Sequence, residues 1–325
     1  MNTKEQFEKL FNNQLETDEA RKFLIELYEK GETFEDIAIS ASVMRDHSVK
    51  LPISDILQEH AIDIVGTGGD KSGSFNISTT VSLLLASLGS VVAKHGNRSI
   101  TSNSGSADVL ETLGINLNLT PEQQVKMLEE TGFCFIFAQN HHPAMKHIMP
   151  IRKSIEHRTI FNILGPLTNP AGARKYLLGV FSPDYIERMA KALLELNASR
   201  AFVVSSDDGM DEITLATTTQ FAYVEGGIVS HGTIDPEAFG FKKATKEQIL
   251  GGTATENAQI TRDIFSGEST DPQRDIVIIN AGFALFTDGK ARDIQEAFEM
   301  ARMGLESGKA KEHLNLMAKV SNGFA

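Results

Sequence analysis

The sequence predicts an α/β protein in two parts. A small N-terminal helical domain is expected over residues 1–60, and a large α/β domain with a mainly parallel central sheet over residues 61–325. Three observations lead there. No strand pattern appears before residue 61, short apolar runs then alternate with helix-length patterns, and glycine- or hydroxyl-rich loops follow several of those runs. Strand, loop, helix and strand in succession call for parallel pairing through a right-handed crossover.

The helical start is read from caps and stripes. In "TDEARKFLIELYEKG", Thr17 is the expected N-cap and Gly31 the stop, with Phe23, Leu24, Leu27 and Tyr28 on one face. "TFEDIAISASVMR" repeats the design, with Thr33 as cap and Phe34, Ile37, Ala38 and Ala41 as the apolar stripe. Helices from about 141–160 are expected to complete this domain. Ile62 to Val65 is a short buried strand, "STTVSLLLASLG" a helix ended by Gly89, and "VVAKH" the next strand. "SADVLETLG" is a helix. "TPEQQVKMLEETG" is another, with Thr120 as cap, Pro121 in its first turn and Gly132 past its end. "FCFIFA", "YLLGVF" and "AFVVSS" are strands, the last two joined by the helix "SPDYIERMAKALLELN", and the chain is helical again from Asp275.

With 325 residues, 41% of them hydrophobic, the chain can bury a core that needs no staple. Its one cysteine, Cys134, excludes an internal disulfide, and inside "FCFIFA" it reads as a small buried apolar group. The net charge of -12 argues against the basic face of a nucleic-acid binder. Any anion site must therefore use local cations, backbone N–H groups or metal ions. No targeting stretch opens the sequence, and no apolar run approaches the roughly 20 residues of a membrane span. A cytoplasmic protein with neither nucleic-acid nor membrane partners is expected.

Chemistry gathers in the loops. In "GTGGD", Gly66, Gly68 and Gly69 leave backbone N–H groups open to an anion, and Asn76, Ser78 and Thr79 start a helix whose N-terminus favours phosphate. The plain alternative is a strand-to-helix turn with a hydroxyl cap. "KHGNRSITSNSGSADVLE" brings Lys94, Asn97 and Arg98 to the end of the next strand, with Gly96 opening the backbone. Its cations serve a ligand or stand solvated, and His95 is a hydrogen-bonding wall or a packing residue. "SSDDGMDE" puts Asp207, Asp208, Asp211 and Glu212 in six residues, which suits Mg²⁺ or a solvated acidic turn. His141, His142 and His147 lack the carboxylate pattern of a zinc protease. Arg152 and Arg158 can each clamp a carboxylate through two hydrogen bonds.

"GTGGD", "FNIST", "KHGNRS", "SGSADVLE", "HHPAMKH", "RTIFNILGPLTNP" and "GMDE" occur in this order between residues 63 and about 213. As an ordered set they resemble the anthranilate phosphoribosyltransferase family of tryptophan biosynthesis, whose fold is nucleoside phosphorylase/phosphoribosyltransferase-like. The resemblance implies that 5-phosphoribosyl 1-pyrophosphate (PRPP) sits against Gly66, Gly69, Asp70, Ser74, Asn76, Ile77, Ser78 and Thr79. It adds the loop Lys94, His95, Gly96, Asn97, Arg98, Ser99, Ile100, Thr101 and Ser102, and Ser106 beyond it. Anthranilate would contact Gly66, Asn97 and Arg152, and two Mg²⁺ ions per subunit would be held by Ser78, Asp211 and Glu212. A homodimer with its site between the two domains is also implied.

This chain departs from the pattern at Asn103, where members often carry lysine, and at Gln139 and Asn140 ahead of the histidine pair. The implied reaction joins the anthranilate amine to ribose C1 with loss of pyrophosphate, so charge develops on the leaving group and positioning carries much of the rest. Two other readings compete: a pyrimidine nucleoside phosphorylase, and a non-catalytic relative that binds nucleic acid. The retained pair Asp211 and Glu212 and the acidic composition favour the transferase.

Overall fold

Helices alone fill the N-terminal region: α1 (Thr3–Phe11), α2 (Thr17–Lys30), α3 (Phe34–Asp46) and α4 (Asp55–His60). The structure, a computed structural model, describes residues 2–98 and 104–324. Thr33 caps α3 as the sequence predicts, bonding reciprocally with Asp36. Helix α2 starts one residue earlier than expected: Glu16 is its N-cap and pairs with Glu19, so Thr17 already lies in the first turn. Tyr28 also departs from its assigned face, 41% exposed and stacked on His157 at 4.1 Å.

The α/β alternation then runs β1 (Ala61–Gly66), α5 (Ile77–Ser87), β2 (Val91–Gly96), α6 (Ser106–Thr112), α7 (Pro121–Thr131) and β3 (Phe133–Phe137). Short helices α8 (Ala138–His141), α9 (Met145–Lys153) and α10 (Phe161–Leu164) lead to β4 (Lys175–Gly179), α11 (Ile186–Glu195) and β5 (Arg200–Ser206). Thr120, Pro121 and Gly132 bound α7 as expected, Gly132 in the left-handed conformation that closes a helix without a Cβ penalty. Two strands lie outside the sequence expectation, β6 (Thr219–Glu225) and β7 (Ile228–Ile234). Helix α12 (Ala254–Ser266) does too. It precedes α13 (Asp271–Asp288), α14 (Ile294–Glu306) and α15 (Lys309–Asn322), so the helical tail starts ahead of Asp275.

The seven strands form one sheet in the order β3-β2-β1-β4-β5-β6-β7. The first five are parallel, and β6 and β7 continue as an antiparallel hairpin. The direction of winding reverses between β1 and β4, which are paired with Gly66 opposite Gly179. That is the topological switch point, where the flanking connections leave a crevice beyond the strand ends. Helix α5 follows β1 and α11 follows β4; since the two crossovers run in opposite directions, right-handedness puts these helices on opposite faces. α13 and α15 pack on α5, while α3 packs on both α1 and α11. Helix α9 packs on α1 and α2. Arg45 of α3 anchors this helical layer, donating to Leu167 O at 2.6 Å and to the Tyr176 hydroxyl at 3.3 Å. Among the described residues no helix is long and apolar enough to cross a membrane.

Candidate active site

Three of the loops singled out by the sequence open at the carboxyl ends of β1, β2 and β5, around the switch point. The β1 loop turns through Gly68 and Gly69, both at positive φ (67° and 73°), a conformation that disfavours other residues. Gly66 has a different reason to lack a side chain. A Cβ there would strike the Asp211 carboxylate, and a Cβ on its sheet neighbour Gly179 would fall on the Asp211 backbone carbonyl. The bare backbone at Gly66 therefore makes room for Asp211 and not only for a ligand. Gly96 corrects the reading in the same way: its missing Cβ accommodates the Phe135 ring, 2.8 Å from where that atom would be.

Asp211 and Glu212 reach across the sheet to the two ends of the glycine loop. Gly68 N–H donates to Asp211 Oδ2 at 2.7 Å, and Ser78 N–H, in the first turn of α5, donates to Glu212 Oε1 at 3.0 Å. The buried Asn280 of α13 pins the backbone just after them, accepting from Ile213 N–H at 3.0 Å and donating to Ile213 O at 2.8 Å. Burial pushes the Asp211 carboxyl up to about 7, assisted by the charge of Asp70. Glu212 is raised well above its usual range by burial and by the charges of Asp211 and Asp70. The other two acids of the turn play no part here. Asp207 is exposed and hydrogen-bonded to Thr218 and Gln220, and Asp208 accepts from Thr214 Oγ1 at 3.0 Å.

Two half-buried carboxylates beside a third acid form a partial shell for a hard cation. Among the described residues no three His, Cys, Asp or Glu side chains make a preformed metal site. The set still fits Mg²⁺, which commonly takes only one or two carboxylates and completes its shell with phosphate oxygens and water. The hydroxyl of Ser78 stands in the same corner, 3.3 Å from the Lys94 ammonium.

Lys94 is not the solvated cation its sequence context allowed. It is 2% exposed, bonds Ile64 O at 2.6 Å, and burial lowers it to about 8 against the opposing pull of Asp63 and Glu212. Asp63, which the sequence reading passed over, is buried beneath it and pushed up to about 7. Its oxygens accept from His95 N–H at 3.2 Å and from Asn169 Nδ2 at 2.8 Å, tying the end of β2 to "GPLTNP". The His95 ring bonds Gly165 O through Nδ1 at 3.2 Å and lies 5.2 Å from the His142 ring. Arg98, expected to offer charge to a ligand, is spent on Asp108 and Glu111, both at 2.7 Å, and braces its loop against α6.

Of the remaining expected residues, Ile77 and Thr79 are fully buried, and the Ile77 N–H donates to Phe75 O at 2.7 Å, so neither side chain is open to a ligand. Ser74 bridges to Leu250, and Asn97 accepts from Arg98 N–H at 2.8 Å. Ser106 opens α6. Ser99, Ile100, Thr101 and Ser102, with the departure Asn103, lie outside the described residues. Arg152 on α9 is half-buried, and its side chain makes no ion pair or hydrogen bond among the described residues. His141 and His147 are occupied with backbone, bonding Val49 O at 2.7 Å and Leu10 O at 3.0 Å.

Two contacts to the glycine loop had no sequence signal strong enough to assign. Arg158 donates to Gly69 O at 2.9 Å while stacked 3.5 Å over the Phe181 ring. A strap at residues 249–252 pairs with the loop, through Phe75 N–H to Ile249 O at 3.2 Å and Gly251 N–H to Gly73 O at 2.9 Å. Glycines at 251 and 252 beside a Thr-x-x-Glu cap were the available hint.

Residues 58–311 match the family described as "Glycosyl transferase family, a/b domain". An anthranilate phosphoribosyltransferase from Rubrobacter xylanophilus is 46% identical over 296 residues, covering 91% of this chain and 85% of that protein. The crystal structure of anthranilate phosphoribosyltransferase from Thermus thermophilus matches with a TM-score of 0.91 at 40% identity, over 98% of this chain and 94% of that one. The Saccharomyces cerevisiae enzyme in complex with PRPP and Mg matches with a TM-score of 0.84 at 27% identity, over 94% and 86%. Fold, motif order and these relatives agree on the transferase and not on a phosphorylase: the chain belongs to the anthranilate phosphoribosyltransferase family.

Proposed function

We propose that this protein transfers the phosphoribosyl group of PRPP to the amine of anthranilate, releasing pyrophosphate. The observation that carries this reading is the convergence of Asp211 and Glu212 on Gly68 N–H and Ser78 N–H. Acids from one strand end stand against the glycine turn and helix start of another, so a cation held by these carboxylates would lie beside a diphosphate bound on that turn.

In this reading Gly69, Asp70, Ser74 and Asn76 cradle the substrate, with the backbone of Ile77 to Thr79, and Lys94, Asn97 and Ser106 line the facing loop. Gly66, Asn97 and Arg152 face anthranilate; a half-buried guanidinium without an anion suits its carboxylate. Ser78, Asp211 and Glu212 would hold Mg²⁺, two ions per subunit, which when bound would supply Lewis-acid stabilisation of charge on pyrophosphate. An aromatic amine is uncharged at neutral pH, so the protein needs no strong base. Its residues align amine and sugar and exclude water.

The same reading takes residues 1–60, completed by 141–160, as a small domain against the α/β domain, a cleft between them, a homodimer and a cytoplasmic location. The test is loss of anthranilate fluorescence on adding PRPP and Mg²⁺. The signal should persist with a chelator present. Equal loss with and without the chelator refutes the metal's part, and no loss in either refutes the reaction.

A further inference from the structure

The strap and α12 meet the glycine loop through a hydrogen-bond chain whose polarity is forced. It starts at Gly252 N–H, which can only donate and bonds Asn257 Oδ1 at 2.7 Å. With its oxygen engaged, Asn257 presents Nδ2 to Asn76 and donates to Asn76 Oδ1 at 2.8 Å. The amide of Asn76 is fixed in turn, with its oxygen held by α12 and its Nδ2 directed towards Ser104 O at 3.4 Å. A primary amide carries two N–H donors, and among the described residues this long bond is the one engagement of Asn76 Nδ2.

We propose that Asn257 is a positioning residue, which orients the Asn76 amide so that its N–H groups, and not its carbonyl, meet the anionic oxygens of the phosphorylated sugar substrate. The inference rests on the glycine loop being the substrate cradle, as read above. Its physical basis is a sign: an amide N–H attracts a phosphate oxygen, while a carbonyl in the same place repels it.

The surroundings hold this arrangement in place. Asn257 is 3% exposed, so water does not compete for its amide. One turn further on, the Thr80 and Thr261 hydroxyls meet at 2.8 Å across the same two helices, one donating to the other, and each lies 3.1 Å from the carbonyl four residues back, of Asn76 and Asn257. Gly251 admits the contact, since a Cβ there would sit 2.6 Å from Asn257 Oδ1 and 2.6 Å from Phe75 Cα.

The test is steady-state kinetics of Asn76→Ala, Asn257→Ala, Asn257→Asp and the double alanine variant, varying PRPP at saturating anthranilate and Mg²⁺. Each single alanine variant is expected to raise KM for PRPP about tenfold, as expected for a lost hydrogen bond to a charged group. KM for anthranilate should move less than about twofold, and in the Asn76→Ala background Asn257→Ala should add less than about twofold. Asn257→Asp keeps the size but cannot donate, so it should raise KM for PRPP in the same way and serves should the alanine variant fail to fold. Independent, multiplying losses in the double variant would overturn the relay, as would an equal rise in KM for anthranilate. If Asn76→Ala alone leaves KM for PRPP unchanged, the cradle reading fails first and the relay with it.

Discussion

At the end of β5, Asp211 and Glu212 crowd beside Asp70, while at the end of β2, His95 and His142 lie ring to ring at 5.2 Å. Both corners gather ionisable groups of one kind away from water, and both resist carrying charge. Burial, with the charge of neighbouring histidines, holds His95 well below its usual value and His142 down to about 4. A histidine has an easy answer, because losing a proton leaves it neutral at pH 7. The carboxyls find neutrality the opposite way, by holding a proton: burial and neighbouring charge raise Asp211 to about 7 and Glu212 well above its usual range. A bound cation would reverse the sign of that environment and favour the ionised, ligating form. The difference teaches that crowding alone does not mark a ligand site; crowding of groups whose charged form a bound cation would stabilise does. Arg152 is the mirror case, a cation in partial burial that no ordinary pH discharges.

The comparison breaks most visibly at the carboxylates. Asp211→Asn or Glu212→Gln should lower turnover by about 10³-fold, in line with loss of a principal electrostatic element, and raised Mg²⁺ should restore part of it. Asp207→Asn, in the same turn, should stay within about twofold because it faces solvent. Progress curves across a Mg²⁺ series read both, and equal losses at Asp207 and Asp211 would erase the distinction between them.

Gly179→Ala attacks the acidic corner without touching an acid. The new methyl group falls on the Asp211 carbonyl, so a destabilisation of about 3 kcal/mol is expected from overpacking. Gly226→Ala, where space is open and only the positive φ of 59° is strained, should cost about 1 kcal/mol. Urea denaturation of the two variants orders them.

The histidine corner should show itself in acid. Unfolded, His142 takes up its proton near 6.5; folded, only near 4. The folded state binds fewer protons in that window, so the stability present above pH 6.5 is lost as pH falls towards 4, by about 3 kcal/mol from this residue. Urea midpoints against pH measure it, and His142→Gln should flatten the slope; an unchanged slope would assign it elsewhere. A substrate-specific effect is expected at Arg152. Arg152→Ala should raise KM for anthranilate, by about 2 kcal/mol in transition-state terms, with KM for PRPP little changed. A change confined to PRPP would reassign that arginine.

What the sequence determined by itself was local. Thr33, and Thr120 with Pro121 and Gly132, announce their helices because a cap bonds within a few residues of itself. The apolar runs of β1, β2 and β3 are legible because buried parallel strands are apolar on both faces. The motif order carried the family for the same reason, since it needs no contact between distant residues. β6 and β7 escaped because a half-exposed hairpin alternates polar and apolar residues, although Gly226 and Gly227 marked its turn. Tertiary structure alone decided which of four neighbouring acids face the cleft, that Gly66 and Gly179 yield to Asp211, and that Arg98 is spent on Asp108 and Glu111. It also brought Asn257 to Asn76 across 181 positions of chain. Side-chain chemistry is written residue by residue, but charge is satisfied or left wanting only by what packing brings within a few ångströms.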